Sequence, residues 1–421
     1  MKIGVIGAGI SGLSISNILQ KDHDVVVFEA SGKAGGLIEC DVVNGNLYHK
    51  VGGHVFNSKN PKVLDWFWNF FDKENEFVSS KRNAKIFIGS KIVNYPIENF
   101  IYQLSEPYIK QIISELLTCK NTQKLPEEYD NFLEYLEENF GKTLCDIYFK
   151  PYNQKIWKTN LKEIPMNWLE GKLPMPNITE ILLANILKTE ENTMVHSSFF
   201  YPKHNGSQFI ANRLANHLNI KFNYKINTIK KIKDKVIVND LYQFDTLIYT
   251  GNIIKLINSY LEAEIPLEIK HYVNALKFNG TTCVLCTVDS NDMSWLYLPE
   301  QKTKAHRIIY TGNFSETNND KSLHERISCT VEFSGCLSEN EVLRELKTIP
   351  GNLKFQSYNY QAYSYVIQDK NTREHIKEIK KYLSSLNIHL LGRFAEWEYY
   401  NMDTCIEAAF NLTNLIRVSK K

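Results

Sequence analysis

No stretch of the chain carries the ~18 consecutive apolar residues that a membrane-spanning helix needs, so none is expected to cross a bilayer. Neither sign of charge dominates: 49 lysines and arginines face 47 aspartates and glutamates. Without a net field, nucleic acid and anionic membranes are not expected as partners, and any anionic ligand must be held by a few placed cations. The eight cysteines lack the grouping that zinc needs. Cys283-Val284-Leu285-Cys286 is formally C-x-x-C, but it lies in a strand-like run with no second pair or histidine pair nearby, so no metal site is expected. A secretory leader is not expected either, because Gly7, Gly9 and Gly12 interrupt the apolar amino-terminal run. A cytoplasmic protein with reduced cysteines is the expectation.

What is present begins with length, enough for two or three domains around sizeable cores. Aromatic residues make up 12 %, which suits either a site that stacks planar rings or a large core. The first thirty residues are more specific. Residues 2–6 form an apolar run too short for a helix, leading into Gly7-Ala8-Gly9-Ile10-Ser11-Gly12, a G-x-G-x-x-G. In such a turn Gly7 permits the tight reversal, Gly9 lets backbone approach a pyrophosphate, and Gly12 lets the following helix pack close, with its free N–H groups toward the anion. A glycine turn that binds nothing is the bland alternative, and its context weighs against it. Ile15, Ile18 and Leu19 stand at i, i+3 and i+4, one buried helix face. Residues 24–28 then read as a second buried strand ending in Glu29, an acid placed to accept from both ribose hydroxyls. FAD or NAD fits that acid better than NADP.

After Glu29, Gly32 and Gly35-Gly36 make a second glycine-rich turn that a single dinucleotide loop does not need. Residues 48–57 place Gly52-Gly53 with His49 and His54 on an expected loop. A histidine there is more often structural than catalytic, but Gly53 beside His54 marks a place where backbone must approach a ligand. Residues 85–88 and 91–94 read as a hairpin around Gly89-Ser90, and helical spacing dominates from 100 to about 195, with Gly141 as a stop after Phe140. A helix is expected over 209–218, and strands near 221–224, 236–239 and 246–250. Runs at 282–288, 294–298, 307–311 and 327–332 predict a mixed or antiparallel sheet. The chain ends in an expected helix over 404–418, which Asp403 can cap.

Glu29, a short spacer and Gly35-Gly36 together resemble the FAD-binding fingerprint of the glutathione-reductase-like flavoproteins, which favours FAD over NAD. Gly53-His54 before Val55-Phe56, the run from Tyr152 to Trp157, the run from Ser294 to Glu300 with His306-Arg307-Ile308, and the segment from Leu390 to Asp403 are similar, in matching order, to the UDP-galactopyranose mutases. That resemblance spans nearly the whole chain. It implies an α/β fold: a Rossmann-like FAD-binding domain, an inserted helical domain and a mixed or antiparallel sheet substrate domain. The implied division is 1–84, 196–260 and 376–421 for the FAD-binding domain, 85–99 and 261–375 for the sheet domain, and 100–195 for the helical domain.

The resemblance further implies an isomerase that interconverts pyranose and furanose forms of a nucleotide-diphosphate sugar, with N5 of reduced FAD attacking the anomeric carbon. Galactofuranose for polysaccharide biosynthesis is the implied setting, NAD(P)H an external reductant and a homo-oligomer a possible state. Carried over residue by residue, Gly7, Gly9, Gly12, Glu29, Gly36, Gly53, Arg393 and Met402 would hold FAD. Arg307, Lys172, His54 and Tyr399 would be catalytic, and Asn94, Tyr152, Trp157, Tyr297 and Asn401 would line the sugar-nucleotide site. Lys172 stands where the family has a second diphosphate arginine; it keeps the charge and loses the planar fork. Asn401 replaces an aspartate and Asn57 an aromatic residue or histidine. The alternative is an FAD-dependent oxidase or dehydrogenase acting on a sugar nucleotide or amine, which shares the nucleotide fingerprint and needs no basic grip on a diphosphate.

Overall fold

The computed structural model of the protein describes residues 1–118, 124, 128–166, 178–188 and 197–418. Strand Lys2–Ile6 is covered on both sides, and its period of two divides its side chains between two cores. Ile3 and Val5 pack with Leu13, Ile15, Met402 and Ile406, whereas Ile6 packs with Phe28, Ile253 and Trp397. Strand Asp24–Phe28 divides likewise, Val25 and Val27 to the first core, Val26 and Phe28 to the second. Burial on both faces is why these strands read as unbroken apolar runs, the mark of a parallel sheet. Among the described residues the sheet order is Ile388–Leu390, Thr246–Tyr249, Lys2–Ile6, Asp24–Phe28, Ile220–Lys221, with every neighbour parallel. The chain leaves the central strand toward one side and later returns on the other, so the strands' carboxyl ends open on a switch-point crevice.

The second sheet runs Lys354–Ile367, Lys277–Asp289, Arg326–Ser334, Ala305–Ile309, Trp295–Tyr297, Ala84–Ile88, Lys91–Asn94 among the described residues. All its pairs are antiparallel except Trp295–Tyr297 against Ala84–Ile88. Register places Asn359, Cys283, Glu332, Arg307, Tyr297, Ile86 and Val93 in one row across the seven strands. Residues directly opposite one another share a face, so this row presents its charged and phenolic side chains together.

Strand Lys354–Ile367 is absent from the runs expected from sequence, because its tyrosines alternate with Gln356, Asn359 and Gln361 and no apolar run forms. The alternation itself was the available signal. It changes phase, from Tyr358 and Tyr360 to Tyr363 and Tyr365, and the strand bulges at that change, between the pairs Thr281–Gln361 and Asn279–Tyr365. Helices Glu106–Thr118, Phe132–Phe140, Lys150–Trp157 and Ile178–Leu187 form a third core with Ile86, Val93 and Phe199. Lys155 ties this helical part to the sheet: its Nζ donates to the carbonyls of Leu298 (2.7 Å), Glu300 (2.6 Å) and Ala305 (3.0 Å), and burial lowers its pKa to about 8.

Several expected boundaries move. The helix expected from 209 begins at Gly206. The strand expected over 221–224 shrinks to Ile220–Lys221, because Asn223 turns into the left-handed region at φ 55°. The carboxyl-terminal helix starts at Met402, so Asn401 precedes it, its carbonyl accepting from the Cys405 N–H at 3.0 Å, and Asp403 lies within the first turn rather than at the cap.

His49, 1 % exposed, sits 2.7 Å by Nε2 from the Tyr201 hydroxyl and 3.4 Å by Nδ1 from Cys40 Sγ. Burial, and then His54, holds its pKa down at about 3. The folded imidazole therefore stays neutral where the unfolded one takes a proton, below about pH 6.5. Stability is complete above that value and falls as pH drops toward 3, by up to about 1.4 kcal/mol per pH unit from this residue. Thermal melts at pH 7, 6 and 5 are expected to show this decline, and a flatter one for His49→Gln; equal slopes would remove His49 as its source.

Candidate dinucleotide and substrate cavity

A cavity of about 930 Å³ connects the strand ends of the parallel sheet to the charged row of the second sheet. At the first end it is lined by Gly7, Gly9, Glu29, Thr250, Gly251 and Arg393. Gly7 adopts φ +101°, and a Cβ there would lie 2.5 Å from Thr250 Oγ1. Gly12 is not on the cavity wall; it acts behind the turn, where a Cβ would lie 1.9 Å from the Gly7 carbonyl oxygen. The second glycine turn packs on the first. The Gly35 N–H donates to the Ala8 carbonyl at 2.9 Å, and a Cβ on Gly36 would come within 3.3 Å of Gly9 Cα. Two strips of bare backbone thus lie side by side at a helix amino terminus, which is the surface that a dinucleotide pyrophosphate fits.

Glu29 stands beside them but is largely engaged by its own chain. Its Oε2 accepts from the Ala8 N–H at 2.8 Å, and its Oε1 from the Ser31 N–H and hydroxyl, each at 2.9 Å. About three of a carboxylate's four acceptor positions are therefore in use, and one ribose hydroxyl, not the two expected from sequence, finds a ready partner.

The Gly52-Gly53 loop lies on the second sheet: a Cβ on Gly52 would meet Glu332 Oε1 at 2.2 Å. Gly53 and His54 both line the cavity, and His54 Nε2 is buried there without a hydrogen-bond partner. Burial, and then the charge of Arg393, lowers the His54 pKa to about 4, so the ring is neutral at physiological pH. A buried nitrogen left unpaired costs about 1–3 kcal/mol, which a bound group offering hydrogen-bonding atoms would offset. Neutral His54 can meet a ring edge; it cannot act as a cationic clamp.

Arg307 projects from the central row of the sheet and lines the cavity, its Nε donating to Glu332 and a terminal nitrogen to the Tyr365 hydroxyl at 3.2 Å. Burial pushes the Glu332 carboxyl up, but Arg307 and His306 together outweigh it and hold the pKa at about 2. The pair is an oriented guanidinium backed by a buried anion. Arg393 lines the cavity too, but donates to the carbonyls of Tyr400 (3.0 Å) and Ser364 (3.2 Å) and stacks 4.7 Å over the Tyr399 ring. It shapes the wall formed by Tyr399, Tyr400, Asn401 and Met402, all cavity-lining.

Tyr297 reaches the cavity directly, whereas Tyr152 and Trp157 stand one ring behind it. Tyr152 is edge-on to Tyr297 at 5.2 Å, and Trp157 is edge-on to Tyr365 at 5.6 Å and to Tyr399 at 5.9 Å. Asn94 does not line the cavity: the pleat sets it on the face opposite Val93, where it accepts from Lys85 Nζ at 2.6 Å. Lys172 lies outside the described residues. Arg82, Tyr95, Tyr363 and Tyr365 line the cavity and were not singled out from sequence. The phase change of the tyrosine pattern could have pointed to two of them; nothing in Lys81-Arg82-Asn83 distinguishes Arg82 from a surface arginine.

A family model described as an NAD(P)-binding Rossmann-like domain matches residues 5–72. Over its length the chain is similar to dTDP-fucopyranose mutase of Escherichia coli, at 24 % identity over 428 aligned positions covering 98 % of each chain. It is similar also to UDP-galactopyranose mutase of Mycoplasma genitalium, at 22 % identity over 433 positions, 96 % of this chain and 91 % of that one. Its fold matches a crystal structure of reduced UDP-galactopyranose mutase with a TM-score of 0.85 at 20 % identity, covering 98 % of this chain and 94 % of the other. Over nearly its whole length the chain is similar to the sugar-nucleotide mutases, in sequence and in fold. The mutase homologues indicate an isomerase-type enzyme, built on the mixed α/β fold that its sequence predicts. That similarity rests on the full-length match, since the dinucleotide turn alone is shared by many unrelated activities.

Proposed function

We propose that the protein holds FAD in the glycine-lined crevice and interconverts the pyranose and furanose forms of a nucleoside-diphosphate sugar. The continuity of one cavity, from the bare backbone strips to Arg307 and Tyr297 on the second sheet, is the observation that supports this reading. FAD, when bound in its reduced form, supplies a nucleophilic N5 toward the anomeric carbon. The chain's own residues do the rest. The glycine strips seat the cofactor pyrophosphate, and Glu29 takes a ribose hydroxyl. Met402 opens a helix whose amino terminus favours negative charge in the adjoining cavity. Arg307, oriented by Glu332, faces the departing diphosphate, where a preorganised cation acts without reorganisation. Tyr297, Tyr365 and Tyr399 wall the cavity and exclude water from the sugar.

No helix among the described residues is long and apolar enough to cross a membrane. Cys40, Cys145, Cys283, Cys286, Cys329 and Cys405 are buried and unpaired, which supports a reducing, cytoplasmic setting. NAD(P)H is then the natural reductant, and a furanose donor for polysaccharide assembly the product. The two similar mutases act on different sugars by name, so UDP-galactopyranose and dTDP-fucopyranose are both to be offered to dithionite-reduced enzyme. The expected result is a product of unchanged mass and altered retention, with reductant required but not consumed per turnover. One reductant used per product, or peroxide released in air without sugar nucleotide, would exclude the mutase and favour an oxidoreductase.

A further inference from the structure

Helix Lys150–Trp157 stands behind the cavity wall, its Tyr152 backing Tyr297 and its Trp157 backing Tyr365 and Tyr399. Between those two rings in the sequence is Lys155, buried and off the cavity wall. Its ammonium carries three N–H donors, and three main-chain carbonyls take them: Leu298 at 2.7 Å, Glu300 at 2.6 Å and Ala305 at 3.0 Å. Leu298 and Glu300 lie on the connection that leaves strand Trp295–Tyr297, and Ala305 opens strand Ala305–Ile309. Those two strands set Tyr297 directly opposite Arg307. Ile156, the next residue of the helix, ties it to the sheet in the other direction, its carbonyl accepting from Asn279 Nδ2 at 2.8 Å. We propose that Lys155 is a positioning residue for Arg307, fixing the hairpin that carries the guanidinium against the helix that backs the aromatic wall; this rests on the reading above that Arg307 meets the substrate diphosphate.

The strand needs such a hold because it bulges just before Arg307. Ala305 pairs with Phe333 and Arg307 with the adjacent Glu332, so His306 is an extra residue that the facing strand does not match. Consecutive side chains of a regular strand point to opposite faces, yet His306, at 3.1 Å, and Arg307 both reach the Glu332 carboxylate. A bulge bends its strand and re-aims the side chains beside it, so the direction of Arg307 depends on how this bulge is held. Lys155 holds it at Ala305 and, through Leu298, holds the opposite arm of the hairpin next to Tyr297. The outer end of the connection is secured separately, where Thr303 Oγ1 (3.0 Å) and the Lys304 N–H (2.7 Å) both donate to Glu345. Lys155 therefore acts at the end beside the cavity. Misplacing a binding group by about 1 Å is enough to cost about a hundredfold in rate, so a tether behind the wall can matter as much as a group on it.

The test is calorimetric titration of UDP and dTDP into flavin-loaded protein from about pH 7, above the last phosphate ionisation, to about pH 9.5. Lys155→Met and Lys155→Arg are the variants, and flavin absorbance is the check on folding. Burial lowers the Lys155 pKa to about 8, against the opposing pull of Glu345 and Glu300, the charged groups that face it. Below that value the ammonium fills all three carbonyls; above it the neutral amine, with two N–H groups, leaves one unfilled. Nucleotide affinity of the unaltered protein is expected to fall about tenfold across the range, the scale of weakening one charge-assisted contact. Lys155→Met is expected to bind about tenfold more weakly at pH 7 and to show no further fall. Lys155→Arg, whose guanidinium does not titrate, is expected to keep most of the affinity and to lose the fall as well. Burial lowers the pKa of Lys158 too, so a fall that persists in Lys155→Met would belong to another group and overturn the inference. Unchanged affinity in Lys155→Met, or a flat profile in the unaltered protein, would overturn it too, and each leaves the mutase reading intact. If Lys155→Met loses its flavin, the profiles of the unaltered protein and Lys155→Arg carry the same decision. Should the unaltered protein bind neither nucleotide at any pH, the mutase reading fails and this inference with it.

Discussion

Arg307→Ala is expected to lower kcat/KM by about a hundredfold to a thousandfold, the scale of losing a preorganised charge-stabilising donor, while the flavin absorbance survives. The separation follows from position: Arg307 sits in the middle of the second sheet, away from the glycine turns that seat the dinucleotide. The same substitution also has a structural cost. Glu332, 1 % exposed, keeps only His306 of its two cationic or hydrogen-bonding side-chain partners. Breaking a buried ion pair from one side costs about 3–5 kcal/mol, because the remaining charge is stranded. The double variant Arg307→Ala, Glu332→Gln is therefore expected to melt higher than the single variant and to stay inactive. If the single variant turns over normally, Arg307 does not hold the diphosphate; if the double variant melts no higher, the loss of stability does not come from Glu332.

Gly12→Val is expected to yield protein without flavin, and with a lowered melting temperature. A Cβ at position 12 would lie 1.9 Å from the Gly7 carbonyl oxygen, a main-chain atom that cannot rotate away. Helix Ile10–Leu19 must move off the strand, and overpacking of this kind costs about 1–3 kcal/mol or more. Gly9→Ala makes the contrast. A Cβ there meets only Gly35 and Gly36 atoms at 3.9 Å, ordinary contact distance, and occupies the space on the ligand side. Gly9→Ala is expected to melt like the unaltered apoprotein and to bind FAD weakly. A yellow Gly12→Val, or a Gly9→Ala that binds FAD normally, would contradict the division of labour between the two glycines.

The unbroken apolar runs of the Lys2–Ile6 and Asp24–Phe28 strands and the glycine spacing between them are legible because each depends on contacts within a few residues. Asn94, assigned to the sugar-nucleotide site by the resemblance alone, lies off the cavity. Its neighbours in sequence mark a strand, but the choice of face belongs to the pleat and to the pairing with Lys85. The Glu29 carboxylate was read as open to a ribose, and Ser31, two residues on, turned out to share it. Lys354–Ile367 escaped notice because a strand that is half wet and rich in tyrosine has no apolar run to announce it.

By itself, then, the sequence determined the dinucleotide turn, the buried core strands and the order of segments in which the chain resembles the mutases, since backbone sterics at glycine and the period of buried side chains act locally. The tertiary structure decided the rest of the site. Arg307 meets Glu332 across 25 residues and Arg82 meets Tyr297 across 215, and His54 is neutral only because the sheet and Arg393 close around it. Strand register between distant segments brings these groups together, and register is set by how whole faces bury, which no local run of residues specifies.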